Sequence, residues 1–316
     1  LALLATTGIQ SSTAAPKNQA RAVVQADWLE QNVDNPKVRI IEVSTEPGIY
    51  ERGHIKNAAK IVWHTDLVDT VNRDIASAKN FQKLAQKIGI NKDTTIVLYG
   101  DKNNWFAAWG AWLFNIYGAT DVRILDGGRV KWEKDGRALT TAVPAFKTGN
   151  FTTRVADKAL RATLLQDVLP VAKKRVKADL IDIRGADEFS GKIFAAPGFQ
   201  ELAVRAGHIP GAINVPWGQN VNADGTFKTV AELKKLYADK GVDGKQNIIT
   251  YCRIGERSSL TWFVLSEILG YNVKNYDLAI QYYNKVSYSH LSDLEKSDVH
   301  FRKGYCHFVK KEFERA

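Results

Sequence analysis

The sequence predicts an α/β protein of two tandem domains, each a parallel sheet with helices on both faces, and three observations carry that expectation. Short apolar β-type runs alternate with helical patterns through both halves, as in sheets whose strands are joined by covering helices. A motif recurs: GHIKNAAKIVW at 53–63 matches GHIPGAINVPW at 207–217, with equal intervals from His54 to Trp63 and from His208 to Trp217. The order of elements recurs with it. VRIIEVS at 38–44 pairs with ADLIDIR at 178–184, and TIVLYGD at 95–101 with NIITYCR at 247–253; Tyr99 to Gly118 spans the same interval as Tyr251 to Gly270. Self-similarity in fixed order is the mark of one supersecondary plan used twice.

Along the chain, residues 1–21 (LALLATTGIQSSTAAPKNQAR) read as a targeting remnant or a disordered extension. If residues 1–20 are a clipped signal peptide the protein is exported, to a periplasm; otherwise it is cytoplasmic, and the sequence leaves the compartment open. Residues 22–145 form the first domain, where Trp105, Trp109, Trp112, Leu113 and Ile116 recur at helical spacing as a core or interface stripe. A polar, basic linker fills 146–159. The second domain covers 160–277. There Trp262, Leu265 and Leu269 repeat the helical spacing directly after NIITYCR, so the order is strand, loop, helix. Beyond VKNYD, residues 278–316 are expected to be a helical, amphipathic tail, with Cys306 incidental to function.

Composition limits the functions. The 316 residues, 45% hydrophobic and 10% aromatic, suffice for two cores. The net charge of +10 is spread along the chain and favours anionic ligands only weakly; with no basic stripe or zinc-finger spacing, no nucleic-acid partner is expected. Two cysteines exclude a disulfide framework or a cysteine-rich metal site. No run approaches the roughly 18 apolar residues of a membrane span.

The chemistry-bearing stretch is IITYCRIGERSS at 248–259. It places Cys252 at the carboxyl end of a strand, where open α/β sheets bind ligands, and before a helix N-terminus, whose free N–H groups favour a thiolate. Arg253 and Arg257 add positive charge, which predicts a thiol pKa well below about 8.5. Gly255 allows the tight turn that aims successive amides at the sulfur. Ser258 and Ser259 cap the helix or donate to a charged sulfur. Glu256 would repel thiolate and anionic substrate, so it is expected to point outward and pair with a cation. An inert buried thiol is the competing reading. His54 and His208, at equivalent places in the two halves, are expected to stabilise turns.

DIRGADEFSG, RAGHIPGAINVPWG, DGTFK and YCRIGERSS together resemble the two-domain rhodaneses, the thiosulfate sulfurtransferases, and the likeness runs from about Trp28 to Asp277. YERGHIKNAAKIVW, GDKNNWFAAWGAWLF and LDGGRVKW resemble the family's non-catalytic domain, with Gly100 and Asp101 where the thiol would stand. The resemblance implies tandem rhodanese-like domains and sulfane-sulfur transfer from thiosulfate to cyanide or a thiol through a Cys252 persulfide, without metal or cofactor. The persulfide-stabilising loop would comprise Ile254, Gly255, Glu256 and Ser258, and Arg184, Arg253 and Arg257 would bind substrate. Arg184 has an alternative as a partner of Asp182 or Asp187. Arg253 beside the thiol matches the thiosulfate enzymes, whereas mercaptopyruvate-using relatives usually carry a small residue there. Some members have Lys at the position of Ile254, a contact that Arg257 would replace.

The loop from Cys252 to Arg257 is one residue shorter than that of related phosphatase-type domains, which suits a persulfide better than a phosphate. Two alternatives to thiosulfate transfer stay open: 3-mercaptopyruvate sulfur transfer, and a persulfide carrier or partner-binding module with little turnover of small acceptors. The expected partners are a small anionic sulfur donor and a thiol or cyanide acceptor, with the chain a monomer. The segment 190–205 reads either as a rim of the pocket or as a surface excursion. Leu278-Ala279-Ile280 depart from the family, which continues with Gly-Ser and a tryptophan.

Overall fold

The computed structural model describes residues 19–69, 74–197 and 206–277. Residues 1–18, the tail from 278 with its Cys306, and residues 198–205 of the 190–205 segment therefore lie outside the described residues.

In the first half the strands are β1 (Val23–Val24), β2 (Val38–Glu42), β3 (Ala59–Lys60), β4 (Val68–Asp69), β5 (Asp74–Ile75), β6 (Thr95–Tyr99) and β7 (Val122–Leu125). Five of them make a parallel sheet in the order β1-β7-β6-β2-β3, while β4 and β5 form a separate antiparallel pair. The second half contributes β8 (Asp179–Asp182), β9 (Ile213–Asn214), β10 (Ile248–Tyr251) and β11 (Val273–Tyr276), parallel in the order β11-β10-β8-β9. That order repeats the first sheet without its β1 edge. A parallel bridge between Arg161 and Asn275 stands in the place of the missing strand.

The central strands are rich in β-branched residues and are buried on both faces, as parallel strands between helices must be. Alternate side chains of β6 go to opposite sides: Ile96 and Leu98 join one large core, Val97 and Tyr99 another. In the second sheet Ile181 and Ile248 enter the same large core, whereas Leu180, Ile249 and Tyr251 enter a third. One apolar core is thus shared by the two halves and flanked by an outer core on each sheet.

The helix Trp105–Ile116 fills the shared core together with the helix Glu256–Phe263, against which it packs. Burial of ten of its twelve residues explains why its tryptophan stripe reads equally as core and as interface. Residues 146–159 run along the first half: the N–H groups of Phe151, Arg154 and Asp157 donate to the carbonyls of Ile90, Tyr117 and Ile116.

Candidate active site

β10 ends at Tyr251, and Cys252 follows at its carboxyl end. The chain then turns through Gly255, whose φ of 98° lies in the left-handed region open to glycine, and enters the helix Glu256–Phe263. A Cβ at Gly255 would lie 2.7 Å from Cβ of Asp277 and 2.8 Å from Cζ3 of Trp109. The loop is therefore held from the end of β11 and from the helix of the other half.

Cys252 is partly exposed, and its Sγ accepts the Gly255 N–H at 3.1 Å. Burial of the sulfur pushes the thiol up and the nearby Glu256 charge adds to that, against the lowering influence of Arg257 and of the Ser258 and Gly255 amides. The depressed pKa expected from the sequence is thus corrected: the amides are in place, but desolvation and a carboxylate outweigh them.

Glu256 is the second correction. Its side chain is 3% exposed and turns inward, with Oε2 accepting from the Cys252 thiol at 3.5 Å and Oε1 3.6 Å from Nη2 of Arg253. Burial raises its own carboxyl pKa, an effect that the Arg257 and Arg253 charges only partly offset. A residue at the first turn of a helix buried on all sides has no outward direction to take.

The two loop arginines are differently placed. Arg253, with its side chain 5% exposed, faces Glu256. Arg257 is 2% exposed and donates both terminal nitrogens to Glu188, at 2.9 and 3.0 Å. Ser258 and Ser259 turn their hydroxyls to the Gly255 carbonyl, at 3.0 and 2.8 Å, so it is the Ser258 amide that acts on the sulfur. Ile254 packs against the shared core.

Arg184 lies directly after β8 and is 4% exposed. Its Nε and Nη2 donate to the two oxygens of Asp182, at 2.9 and 2.6 Å, and Nη2 also reaches the Gly207 carbonyl at 2.7 Å. This is the geometry of the ion-pair reading. The first half builds the same device from another part of the chain: Arg129 donates to Glu42 at 2.8 Å and to the Gly53 carbonyl at 2.6 Å. In both halves the guanidinium pins the glycine of the GHI turn to the strand end. His54 and His208 reinforce that turn, stacking on Tyr50 and Phe189 and pointing Nδ1 at their carbonyls.

Glu188 belongs to the site's framework and was not foreseen from the sequence, although it stands in DLIDIRGADEFSG; Asp182, foreseen only as an alternative partner of Arg184, is that partner. The available signal was the Gly185-to-Glu188 spacing: the Gly185 N–H donates to Glu188 Oε2 at 3.4 Å. In the first half, Gly100 occupies the place of Cys252. A Cβ there would fall 2.3 Å from the Val43 carbonyl oxygen, and the Asp101 carboxylate takes the Thr45 and Glu46 N–H groups at 3.0 and 2.9 Å. No side chain fits at the place that Cys252 takes in the second half.

A strand-end cysteine with a loop amide on its sulfur, in one of two copies of a parallel α/β domain, defines a protein built for covalent chemistry at sulfur. The chain belongs to the rhodanese-like family, a sulfurtransferase family: the model of the rhodanese-like domain matches twice, at residues 25–135 and 167–285. A Mycolicibacterium smegmatis protein named "Putative thiosulfate sulfurtransferase" is 49% identical over 81% of this chain and 91% of its own length. The "Sulfur carrier protein TtuD" of Thermus thermophilus is 46% identical over 81% of this chain and 90% of its own. Among solved structures, the Escherichia coli 3-mercaptopyruvate sulfotransferase SseA superposes with a TM-score of 0.69 at 28% identity, covering 81% of this chain and 98% of that one. No helix among the described residues is long and apolar enough to cross a membrane.

Proposed function

We propose that this chain is a thiosulfate sulfurtransferase acting by double displacement at Cys252. The Cys252 thiolate attacks the outer sulfur of thiosulfate, the sulfur–sulfur bond of the donor breaks, and sulfite leaves with the electron pair. Cyanide or a thiol then takes the outer sulfur from the persulfide. Both steps place negative charge on sulfur, and backbone amides already aimed at that position stabilise it without reorganisation. The observation that carries this reading is the Gly255 N–H on the Sγ of Cys252, a half-buried residue, at a strand end and a helix N-terminus together.

Arg253 and Arg257 supply positive charge beside the loop, and Arg184 fixes the adjoining GHI turn through Gly207. An arginine next to the nucleophile, where a small residue would suit mercaptopyruvate, supports thiosulfate as the donor. The likeness to the Thermus thermophilus protein supports a second reading, in which the persulfide is handed to a protein thiol and small acceptors turn over poorly.

Intact-protein mass spectrometry after incubation with thiosulfate, beside Cys252→Ser, tests the proposal. The expected result is one added sulfur on the parent protein alone, removed by cyanide. Removal only by a protein thiol would favour the carrier reading, and no adduct on folded protein would reject thiosulfate as the donor.

A further inference from the structure

We infer that Glu256 is a catalytic residue that keeps the Cys252 proton inside the site, taking it from the thiol before sulfur is loaded and giving it to the outer sulfur of the persulfide before discharge. The inference rests on the persulfide reading above and adds a role for a residue that a purely electrostatic view of the loop would regard as harmful. Its basis is position: Oε2 lies 3.5 Å from Sγ, in line to accept the thiol proton, on a side chain that is 3% exposed.

The surroundings are arranged to hold one proton between the two groups. Arg253 Nη2 stands 3.6 Å and Arg257 Nε 3.9 Å from Glu256 Oε1. Glu188 lies behind Arg257, bound to its two terminal nitrogens. On the side of β11, Asp277 closes against Gly255 and is itself paired with Arg161, which also reaches Asp74. Burial raises both the thiol and the carboxyl, so neither charge is cheap, and a thiolate beside a neutral carboxyl is favoured over a thiolate beside a carboxylate.

The steps balance. In the resting site Cys252 is a thiol and Glu256 a carboxylate. The proton moves from Sγ to Oε2, leaving a thiolate and a carboxylic acid. The thiolate forms a bond to the sulfane sulfur of thiosulfate as sulfite departs with the bonding pair, which gives an anionic persulfide next to the acid. The acid returns its proton to the outer sulfur. A nucleophile now meets a neutral S–SH group instead of an anion, attacks the outer sulfur, and releases the Cys252 thiolate. With a thiol acceptor, the acceptor's own proton restores the Cys252 thiol; with cyanide, the proton on the transferred sulfur returns to the Cys252 thiolate as thiocyanate leaves. Net, a thiol and thiosulfate give a persulfide and sulfite, with no outside oxidant or reductant.

Glu256→Gln separates this role from its alternatives, because the losses in the two half-reactions should respond to pH in opposite senses. Without the proton acceptor, loading by thiosulfate at neutral pH should slow and recover as the pH is raised. Discharge to cyanide should fall by about 100-fold, the lower end of the range for a positioned proton donor, and recover as the pH is lowered. Both half-reactions accelerating would mean that Glu256 only repels anions, and both falling with no recovery at either pH would mean that it only packs; either overturns the inference.

Alkylation of Cys252 by neutral iodoacetamide, followed by peptide mass spectrometry to separate it from Cys306, reads the shared proton without any sulfur donor. Above the carboxyl pKa the rate should be nearly flat with pH in the parent protein, because the pair keeps one proton. It should climb about tenfold per pH unit in Glu256→Gln. Equal slopes in the two proteins would overturn the inference. If neither thiosulfate nor polysulfide loads the parent protein while the slopes still differ, the sulfurtransferase reading fails and the proton sharing stands.

Discussion

At the scale of single residues, the site is held by buried ion pairs whose partners are far apart in the chain. Glu188 and Arg257, 69 residues apart, are each 2% exposed and bind each other through two hydrogen bonds. Burial alone would raise the Glu188 carboxyl, yet the Arg257 hydrogen bonds and charge hold it below its ordinary value. A depressed carboxyl binds fewer protons in the folded state than in the unfolded one. Its stabilisation is therefore complete above the unfolded value of about 4.3 and is lost as the pH falls through the lower folded value. Glu188→Gln should remove that part of the acid transition. At neutral pH it should cost about 3 kcal/mol, because a buried guanidinium loses its bidentate partner. Urea unfolding at neutral pH and near pH 3 checks both; equal losses at the two pH values would show that the pair contributes nothing through its charge.

At the scale of elements, the strand–loop–helix unit around Cys252 was legible because its signals are local. An apolar β-branched run, a glycine where the turn needs a positive φ, and an apolar helical stripe all lie within one short stretch, and their repetition at matched intervals set the domain plan. The pairing of Arg184 with Asp182, two residues away, was one of the two readings open from the sequence, whereas the inward turn of Glu256 and the hold of Arg184 on the Gly207 carbonyl were not legible, because each depends on chain from elsewhere. Asp277 ends another strand and Trp109 belongs to the other half, and neither position can be deduced from IITYCRIGERSS itself.

Gly255 is where these long-range contacts bear on the local turn. Gly255→Ala places a Cβ in a left-handed conformation and against both neighbours, so it should cost about 1–3 kcal/mol and slow persulfide loading by about 100-fold as the amides lose their aim. Gly241 is the control. It has φ 81° but open space around a built Cβ, so Gly241→Ala should lose about 1 kcal/mol and leave loading unchanged. Equal loading rates in the two variants would mean that the turn does not set the amide geometry.

At the scale of the whole molecule, the half without a cysteine is a structural part of the half that carries Cys252. Both sheets contribute to the shared core, Trp105 packs edge-on against Trp217 at 4.7 Å, and the Phe227 N–H donates to Asp126 across the halves at 2.8 Å. The helix that carries the first half's tryptophans is also the wall behind the turn at Gly255, through Trp109. Two halves that share a core this way should unfold together, although each repeats a complete fold. Calorimetry of the parent protein should give one transition whose calorimetric and van't Hoff enthalpies agree. Trp109→Ala, which empties a 3% exposed site in the shared core, should cost about 3–5 kcal/mol, move that single transition downward, and slow Cys252 alkylation and loading together. Two separated transitions in the parent protein would mean that the halves are independent domains in contact, and the loss of loading in Trp109→Ala would then have to come from the Gly255 turn alone.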